Sequence, residues 1–205
     1  MAMQLSFSNL LQFFSAIAPI LLVFCLIMIS LFNSDIKGFV YLGGMLVASL
    51  INLIILNTLK IRHQYEVPHF CNLIDFPFNI NEYTSPAFNS MFIAFTLAYL
   101  YMPMSYISGI NYPVIIFVFG LLVLDGVTKM MGGCTTFTGI FLGVCVGLIL
   151  GIGWFALFYN TDHKDLLFFG AEDSNNVVCS RPKEQTFKCS VYKNGTIIGA
   201  TSANA

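Results

Sequence analysis

Residues 13–32 read FFSAIAPILLVFCLIMISLF and carry no charged side chain. The hydrocarbon core of a bilayer is about 30 Å thick and is crossed by about 20 apolar residues in a helix, whose backbone groups pair within the segment. The proline in this stretch, Pro19, lies near its start, where a helix tolerates it. The stretch therefore predicts a membrane-spanning helix, which ends at the polar residues Asn33, Ser34 and Asp35.

Four further segments are also predominantly apolar, and they predict an all-α polytopic membrane protein. We expect residues 1–159 to form a bundle of about five transmembrane helices, with spans near residues 13–32, 38–59, 87–106, 112–127 and 136–159. The residues before the first span have no positive charge and no cleavage site of small residues. We therefore expect this span to remain as an anchor rather than to be removed.

The composition excludes an ordinary soluble domain. Charged residues make up 9% of the chain and apolar residues 57%, against about 25% and about 45–50% in soluble domains. With a net charge of −1, the chain has no field that would attract nucleic acid, and we expect no such partner. The sequence contains no phosphate-binding loop or dinucleotide fingerprint, so we expect no cofactor. His69, Cys71 and Asp75 lack a further ligand at a zinc-site spacing, so we expect no metal.

Residues 160–205 form a water-facing tail of different composition, which holds five of the nine Lys and Arg residues. Within it, Asn194-Gly195 lies between β-forming residues, which predicts a small β-hairpin because both turn positions need positive φ. A lone hairpin is marginal in water, so we expect a partner or a disulfide to hold it. The candidates for that disulfide are Cys179 and Cys189, since the other four cysteines lie in or beside apolar segments.

Basic residues near the ends of the spans favour one orientation in the membrane. Five spans place the termini on opposite faces, of which one carries Lys60, Arg62 and Lys129 and the other Lys37 and Lys164. Because short basic loops stay in the cytoplasm, we expect an inside N-terminus and a translocated tail. That location suits a disulfide. It also makes the sequon at Asn194 a glycosylation candidate, although the hairpin turn alone explains the same residues.

Two patterns within the spans suggest helix packing or a polar site. Four glycines spaced four residues apart share one face of the last span, namely Gly139, Gly143, Gly147 and Gly151. Such a stripe lets another helix approach closely, and we expect packing within the chain, with homodimerisation as the alternative. Asp125 and Lys129 are also four apart and share a face. They are a candidate functional site, or they neutralise each other at the membrane boundary.

Polar residues at the membrane boundary follow the order of a three-part motif. Lys60 is followed after six residues by Val67-Pro68, Pro86-Ala87-Phe88-Asn89 begin the third span, and Thr128-Lys129, Thr135 and Gly139 lie between the last two spans. This order resembles the type-2 phosphatidic acid phosphatases over about residues 60–156. The resemblance implies a membrane enzyme in which a histidine nucleophile takes the phosphoryl group, a second histidine is the general acid, and an aspartate orients the nucleophile.

The residues that carry out catalysis in that family are missing from this chain. By the resemblance, Asn89 stands in place of the general acid, Thr135 in place of the nucleophile, and Gly139 in place of the aspartate. A threonine without an adjacent base is a poor nucleophile, so we expect no enzymatic activity. Lys60 and Lys129 keep a charge that suits phosphate, and with Asn89 they are candidates for contact with a lipid phosphate.

Segments at residues 71–78, 85–97 and 187–195 resemble membrane proteins of large nucleocytoplasmic DNA viruses. This resemblance implies a multi-pass protein of the virion inner membrane, derived from a host membrane, that ties the bilayer to the capsid. We therefore expect a non-enzymatic structural or anchoring protein, whose partners are membrane lipids and, through the tail, capsid or other membrane proteins. The alternative is a lipid-phosphate-binding or active phosphatase-like enzyme. A transporter or channel is disfavoured, because no ionisable residue lies deeper than Asp125.

Overall fold

A computed structural model of the chain describes residues 7–59, 61, 71, 85–161, 163–169, 186–193 and 196–204. Five long helices form the first part of the chain: α1 (Phe7–Phe32), α2 (Lys37–Leu59), α3 (Phe88–Pro103), α4 (Tyr112–Met131) and α5 (Phe137–Asn160). Each is long and apolar enough to cross a membrane when the short π-helical turn Met104–Ser108 is counted with α3. The predicted helical architecture with five candidate membrane spans is therefore confirmed.

Two helices extend beyond the spans expected from the sequence. α1 begins at Phe7, because residues 7–12 contain no charge, proline or glycine that would end a helix. Pro19 therefore lies in the interior of α1 and not near its start, as the sequence suggested. α4 continues to Met131, past the charged residues at which the sequence suggested an end. It continues because Asp125 and Lys129 form an ion pair along the helix and so satisfy each other.

The chain divides into two compact units, Met1–Ser174 and Asn175–Ala205. The first unit includes more than the predicted bundle, because a short 3₁₀ turn at Lys164–Leu166 follows α5. This turn leads into Leu167 and Phe168, which are both buried. The Phe168 ring meets the Tyr99 ring edge to face at 6.5 Å between centroids. Two apolar side chains thus return the start of the tail to the helical core.

The most buried helix is α3, which contacts all four of the others. Its closest neighbour is α5, and the contact follows the glycine stripe. Gly139, Gly143, Gly147 and Gly151 are all buried, and a Cβ added at Gly143 or Gly151 would lie only 2.5 Å or 2.7 Å from a carbonyl oxygen of α3 or the residue before it. A helix of the same chain therefore occupies the stripe.

Aromatic side chains tie α2 to the same pair of helices. The Tyr41 ring packs 5.4 Å from the Tyr99 ring between centroids, and the Tyr41 hydroxyl forms a 2.6 Å hydrogen bond with the hydroxyl of Thr96. On the α5 side, the indole N–H of Trp154 donates to the carbonyl oxygen of Val40 at 3.2 Å. Gly44 lies directly beneath that indole, and a larger residue there would displace it. Each of these polar groups is satisfied inside the bundle.

The outer faces of the helices are covered with large apolar side chains. On four of the five helices, side chains such as Phe24, Leu50, Ile54, Ile116 and Ile149 are each more than half exposed. Such a surface would be unfavourable in water but is what lipid tails solvate.

The second unit contains two antiparallel strands, β1 (Thr186–Lys193) and β2 (Thr196–Asn204). Their register pairs Thr186 with Asn204 at one end and Lys193 with Thr196 at the other, with a bulge between Val191 and Tyr192. The connecting residues 194–195 lie outside the described part of the chain, as does the glycosylation candidate Asn194. The strand bounds match a two-residue hairpin connection.

Candidate functional site

The most polar point of the described bundle is the carboxylate of Asp125, which is fully buried. One carboxylate oxygen accepts a hydrogen bond from the Ser15 hydroxyl at 3.0 Å, and the other accepts from the Ser90 hydroxyl at 2.9 Å. The ammonium group of Lys129 lies 3.3 Å from the first of these oxygens. We call Ser15, Ser90, Asp125, Thr128 and Lys129 the Asp125 cluster. It joins α1, α3 and α4.

Thr128 completes the cluster on the α4 side. Its hydroxyl oxygen lies 2.9 Å from the Ser15 hydroxyl oxygen and 2.7 Å from the carbonyl oxygen of Leu124. A hydroxyl has one proton, so Thr128 donates to one of these acceptors at a time. Ser15 donates its own proton to Asp125 and can accept from Thr128. The hydroxyl groups thus form a chain that ends on the carboxylate.

Local sequence explains why these side chains converge. Asp125 precedes Lys129 by four residues, which is the favourable order for an ion pair along a helix. Ser90 lies in the first turn of α3, where the backbone N–H groups give the helix end a partial positive charge. No side chain caps this helix start within the described residues. The Asp125 carboxylate, held by Ser90, therefore lies where it offsets that charge.

The Asp125 carboxylate lies inside α4 rather than at its end. Asp125 is six residues before the end of α4, which corresponds to about 9 Å along a helix. Its exposure is 0%, whereas the Lys129 side chain keeps 20% and extends towards the end of the helix. A lysine near a helix end can reach the interface in this way while its stem stays in apolar surroundings. The cluster is neutral as a whole.

Two more polar side chains are buried at this end of the bundle. The amide of Asn52 on α2 and the hydroxyl of Ser85, just before α3, are fully buried and have no hydrogen-bond partner in the described part of the chain. α1 and α2 run antiparallel from a turn at which Gly38 packs against Ser30. Counting equal numbers of residues along the two helices from that contact places Asn52 level with Ala16, which follows Ser15 in the chain. A buried amide without partners costs about 1–3 kcal/mol.

The structure brings together two of the three phosphatase-like segments through their backbones. The N–H of Ala87 donates to the carbonyl oxygen of Gly139 at 2.9 Å, which joins the second segment to the third. Asn89 is half-buried in the first turn of α3. Lys129 is paired with Asp125, and Lys60 lies outside the described residues. Within those residues, no group of three His, Cys, Asp or Glu side chains could hold a metal ion.

A disulfide lies at the same end of the bundle and was missed in the sequence. Cys71, between α2 and α3, is bonded to Cys134, in the turn before α5, across 63 residues of sequence. The N–H of Cys134 donates to the carbonyl oxygen of Lys129 at 2.9 Å, so the bridge is attached to the end of α4. The expectation that disulfide candidates are confined to the tail is therefore wrong. Both cysteines flank polar loops on one predicted face, which is the signal that could have paired them.

The tail disulfide stays a prediction, because Cys179 and the Cys189 side chain lie outside the described residues. Comparison of the whole chain with protein-family models, with curated proteins and with solved structures found no match.

Proposed function

We propose that this chain is a non-enzymatic structural protein of a membrane, in which the helical bundle is the anchor and the C-terminal tail binds a protein outside the bilayer. The Asp125 cluster is the observation that supports this most directly. Both carboxylate oxygens bind hydroxyl groups of other helices, and the Lys129 ammonium lies against the same carboxylate. These polar groups bind one another and so hold three helices together, and this pairing leaves them no role in binding a substrate.

A phosphatase-like reaction has no support in the same residues. Phosphoryl transfer through a covalent intermediate needs an activated nucleophile and a general acid within hydrogen-bond reach of the substrate. The matching positions hold Asn89, Thr135 and Gly139, and Gly139 contributes only its backbone to the contact with Ala87. A lipid phosphate at Lys129 would compete with the carboxylate of Asp125, which is fully buried and lies 3.3 Å from the lysine ammonium in the same helix.

The tail supplies the features of a binding element. β1 and β2 form a two-stranded sheet, and within the described residues each strand has a partner on one side only. A free strand edge can accept a strand from another protein through main-chain hydrogen bonds. A two-stranded hairpin is also marginal in water by itself. Pairing with a strand of a partner protein would satisfy the backbone groups at the free edge and would at the same time stabilise the hairpin.

The partner we propose is a capsid protein of a large DNA virus, with the bundle in the membrane beneath the shell. The resemblance of residues 71–78, 85–97 and 187–195 to membrane proteins of such viruses supports this identity. A protein that bridges a bilayer and a shell needs a part in lipid and a part in water, and the two units of this chain differ in that way.

The test is the stoichiometry of the full chain with capsid proteins in detergent-solubilised particles. Val191→Pro removes a backbone donor from β1, whereas Val191→Thr keeps the donor and the β-branched shape. We expect the natural chain and Val191→Thr to copurify with one capsid protein at a fixed ratio, and Val191→Pro to lose it while still inserting in membranes. Equal recovery with both variants, or no fixed ratio with the natural chain, would contradict the anchoring role.

An enzymatic role is tested on the same purified protein. If the natural chain released phosphate from phosphatidic acid and Lys129→Ala did not, the structural function would be contradicted and the phosphatase-like alternative supported. We expect no phosphate release from either protein.

A further inference from the structure

We propose that the membrane face carrying the Cys71–Cys134 disulfide is the non-cytosolic face, so that the N-terminus is translocated and the C-terminal tail is cytosolic. This orientation is opposite to the one that the basic residues predict from the sequence alone. It rests on the position of the disulfide and on the location of Lys129.

The order of the helices fixes which segments share a face. α2 ends at Leu59, α3 begins at Phe88, α4 ends at Met131 and α5 begins at Phe137, and all four of these ends lie on one side. The disulfide joins the α2–α3 connection to the α4–α5 turn on that side. α1 begins on the same side, since its Ser15 reaches Asp125 near the end of α4. The chain leaves α5 on the opposite side.

A disulfide in this position requires an oxidising compartment. Cys71 and Cys134 are both half-buried rather than enclosed. Thiol-based reductants of the cytosol would reach such a bond and keep the two cysteines reduced, whereas the lumen of the secretory pathway favours the disulfide.

The basic residues no longer oppose this orientation once Lys129 is located. The charge of Lys129 is neutralised within α4 by Asp125, so we leave it out of the count of basic residues. The remaining basic residues near the membrane are Lys60 and Arg62 on one face and Lys37 and Lys164 on the other. Lys37 is the first residue of α2 and Lys164 follows α5, so both lie at helix ends and are counted. Orientation follows the excess of basic residues on one face, and two residues on each face give no excess.

The orientation decides the chemistry of the tail. In the cytosol Cys179 and Cys189 would remain thiols, and Asn194 would not be glycosylated even though its sequon is intact. The hairpin would meet proteins made and folded in the cytosol. This last consequence rests on the proposed anchoring function, whereas the orientation itself does not.

N-linked glycosylation in a eukaryotic cell shows which membrane face is non-cytosolic, because only a sequon on that face is modified. This chain can carry one sequon on each face. Asn194-Gly195-Thr196 is the natural sequon of the tail, and Ile74→Thr completes a sequon at Asn72, in the middle of the α2–α3 connection. We expect the natural chain to carry no glycan and the Ile74→Thr chain to carry one, removable by an endoglycosidase. A glycan on Asn194 would overturn the orientation.

Two further measurements decide the case in which neither site is modified. In sealed microsomes we expect added protease to remove a C-terminal epitope, and protection of the epitope would overturn the orientation. Alkylation without reductant should leave Cys71 and Cys134 unmodified, with Cys71→Ser exposing one new thiol and Cys25→Ser exposing none. Alkylation of both cysteines in the natural chain would remove the basis for the assignment. Neither result depends on whether the tail binds a capsid protein.

Discussion

Replacing Gly147 by alanine is expected to force α5 away from α3, because the new methyl group would have no space. A Cβ at this position would lie 2.9 Å from both the Ala94 Cβ and the Phe95 backbone nitrogen, and it would overlap the Met91 carbonyl oxygen. Backbone atoms and a methyl group cannot rotate aside, so relief requires movement of a whole helix. Overpacking of this kind costs about 1–3 kcal/mol.

The matched control is Gly153→Ala on the same helix, where an added Cβ has nothing within 4 Å. Both substitutions gain up to about 1 kcal/mol of helix propensity, so the difference between the two variants isolates the cost of the contact. We expect Gly147→Ala to unfold at a temperature about 2–12 °C below that of Gly153→Ala. The measurement is thermal unfolding in detergent, followed by circular dichroism.

Equal unfolding temperatures for the two variants would refute the close approach of α5 to α3. A change in oligomeric state without a change in unfolding temperature would instead favour homodimerisation through the glycine stripe. Gly151→Ala is a second test of the same contact, because its Cβ would lie 2.7 Å from the Phe95 carbonyl oxygen. It should behave as Gly147→Ala does.

Substitutions at three further polar residues, each with its own control or contrary outcome, are tested by unfolding in detergent. Asp125→Asn should lower the free energy of unfolding by about 1.5–3 kcal/mol, because it replaces the charged hydrogen-bond partner of the partly exposed Lys129 ammonium by a neutral amide. Combining Asp125→Asn with Lys129→Met, which keeps a polar partner for the Ser15 and Ser90 hydroxyls, should recover most of that loss. An unrecovered loss would show that the ion pair is not the cause. Asn52→Leu should raise the free energy by about 1–2 kcal/mol, since its amide has no partner in the described part of the chain; a decrease would mean that the amide is bound. Ser30→Ala should lower the free energy of unfolding by about 1–2 kcal/mol, because it removes the hydrogen bonds that the Ser30 hydroxyl makes in the α1–α2 turn. Ser49→Ala is the control, since it loses one hydrogen bond within its own helix and should change the free energy of unfolding less.

The spans could be predicted because each depends on a local run of side chains. Residues 13–32 specify a membrane helix by their apolarity alone, and the glycine stripe specifies a face for close packing before its partner is known. The end of α4 was placed too early for a related reason. A single sequence presents Asp125 and Lys129 as charges that stop a span, whereas within the bundle they satisfy each other and the helix continues.

The candidate site was only half predictable. The spacing of Asp125 and Lys129 indicated an ion pair, but nothing local indicated Ser15 and Ser90, which lie 110 and 35 residues from Asp125 in the chain. The Cys71–Cys134 pair was missed in the same way, because its members are 63 residues apart and each lies beside an apolar segment.

The sequence by itself determined that the chain has five apolar helices of membrane-spanning length and a chemically different tail, because these properties depend on the side chains of each segment taken alone. Only the tertiary structure decided that α5 packs on α3, that Asp125 is shared by three helices and that Cys71 meets Cys134. These contacts depend on which helix faces approach each other, and that is settled by the shape and hydrogen bonding of residues far apart in the chain.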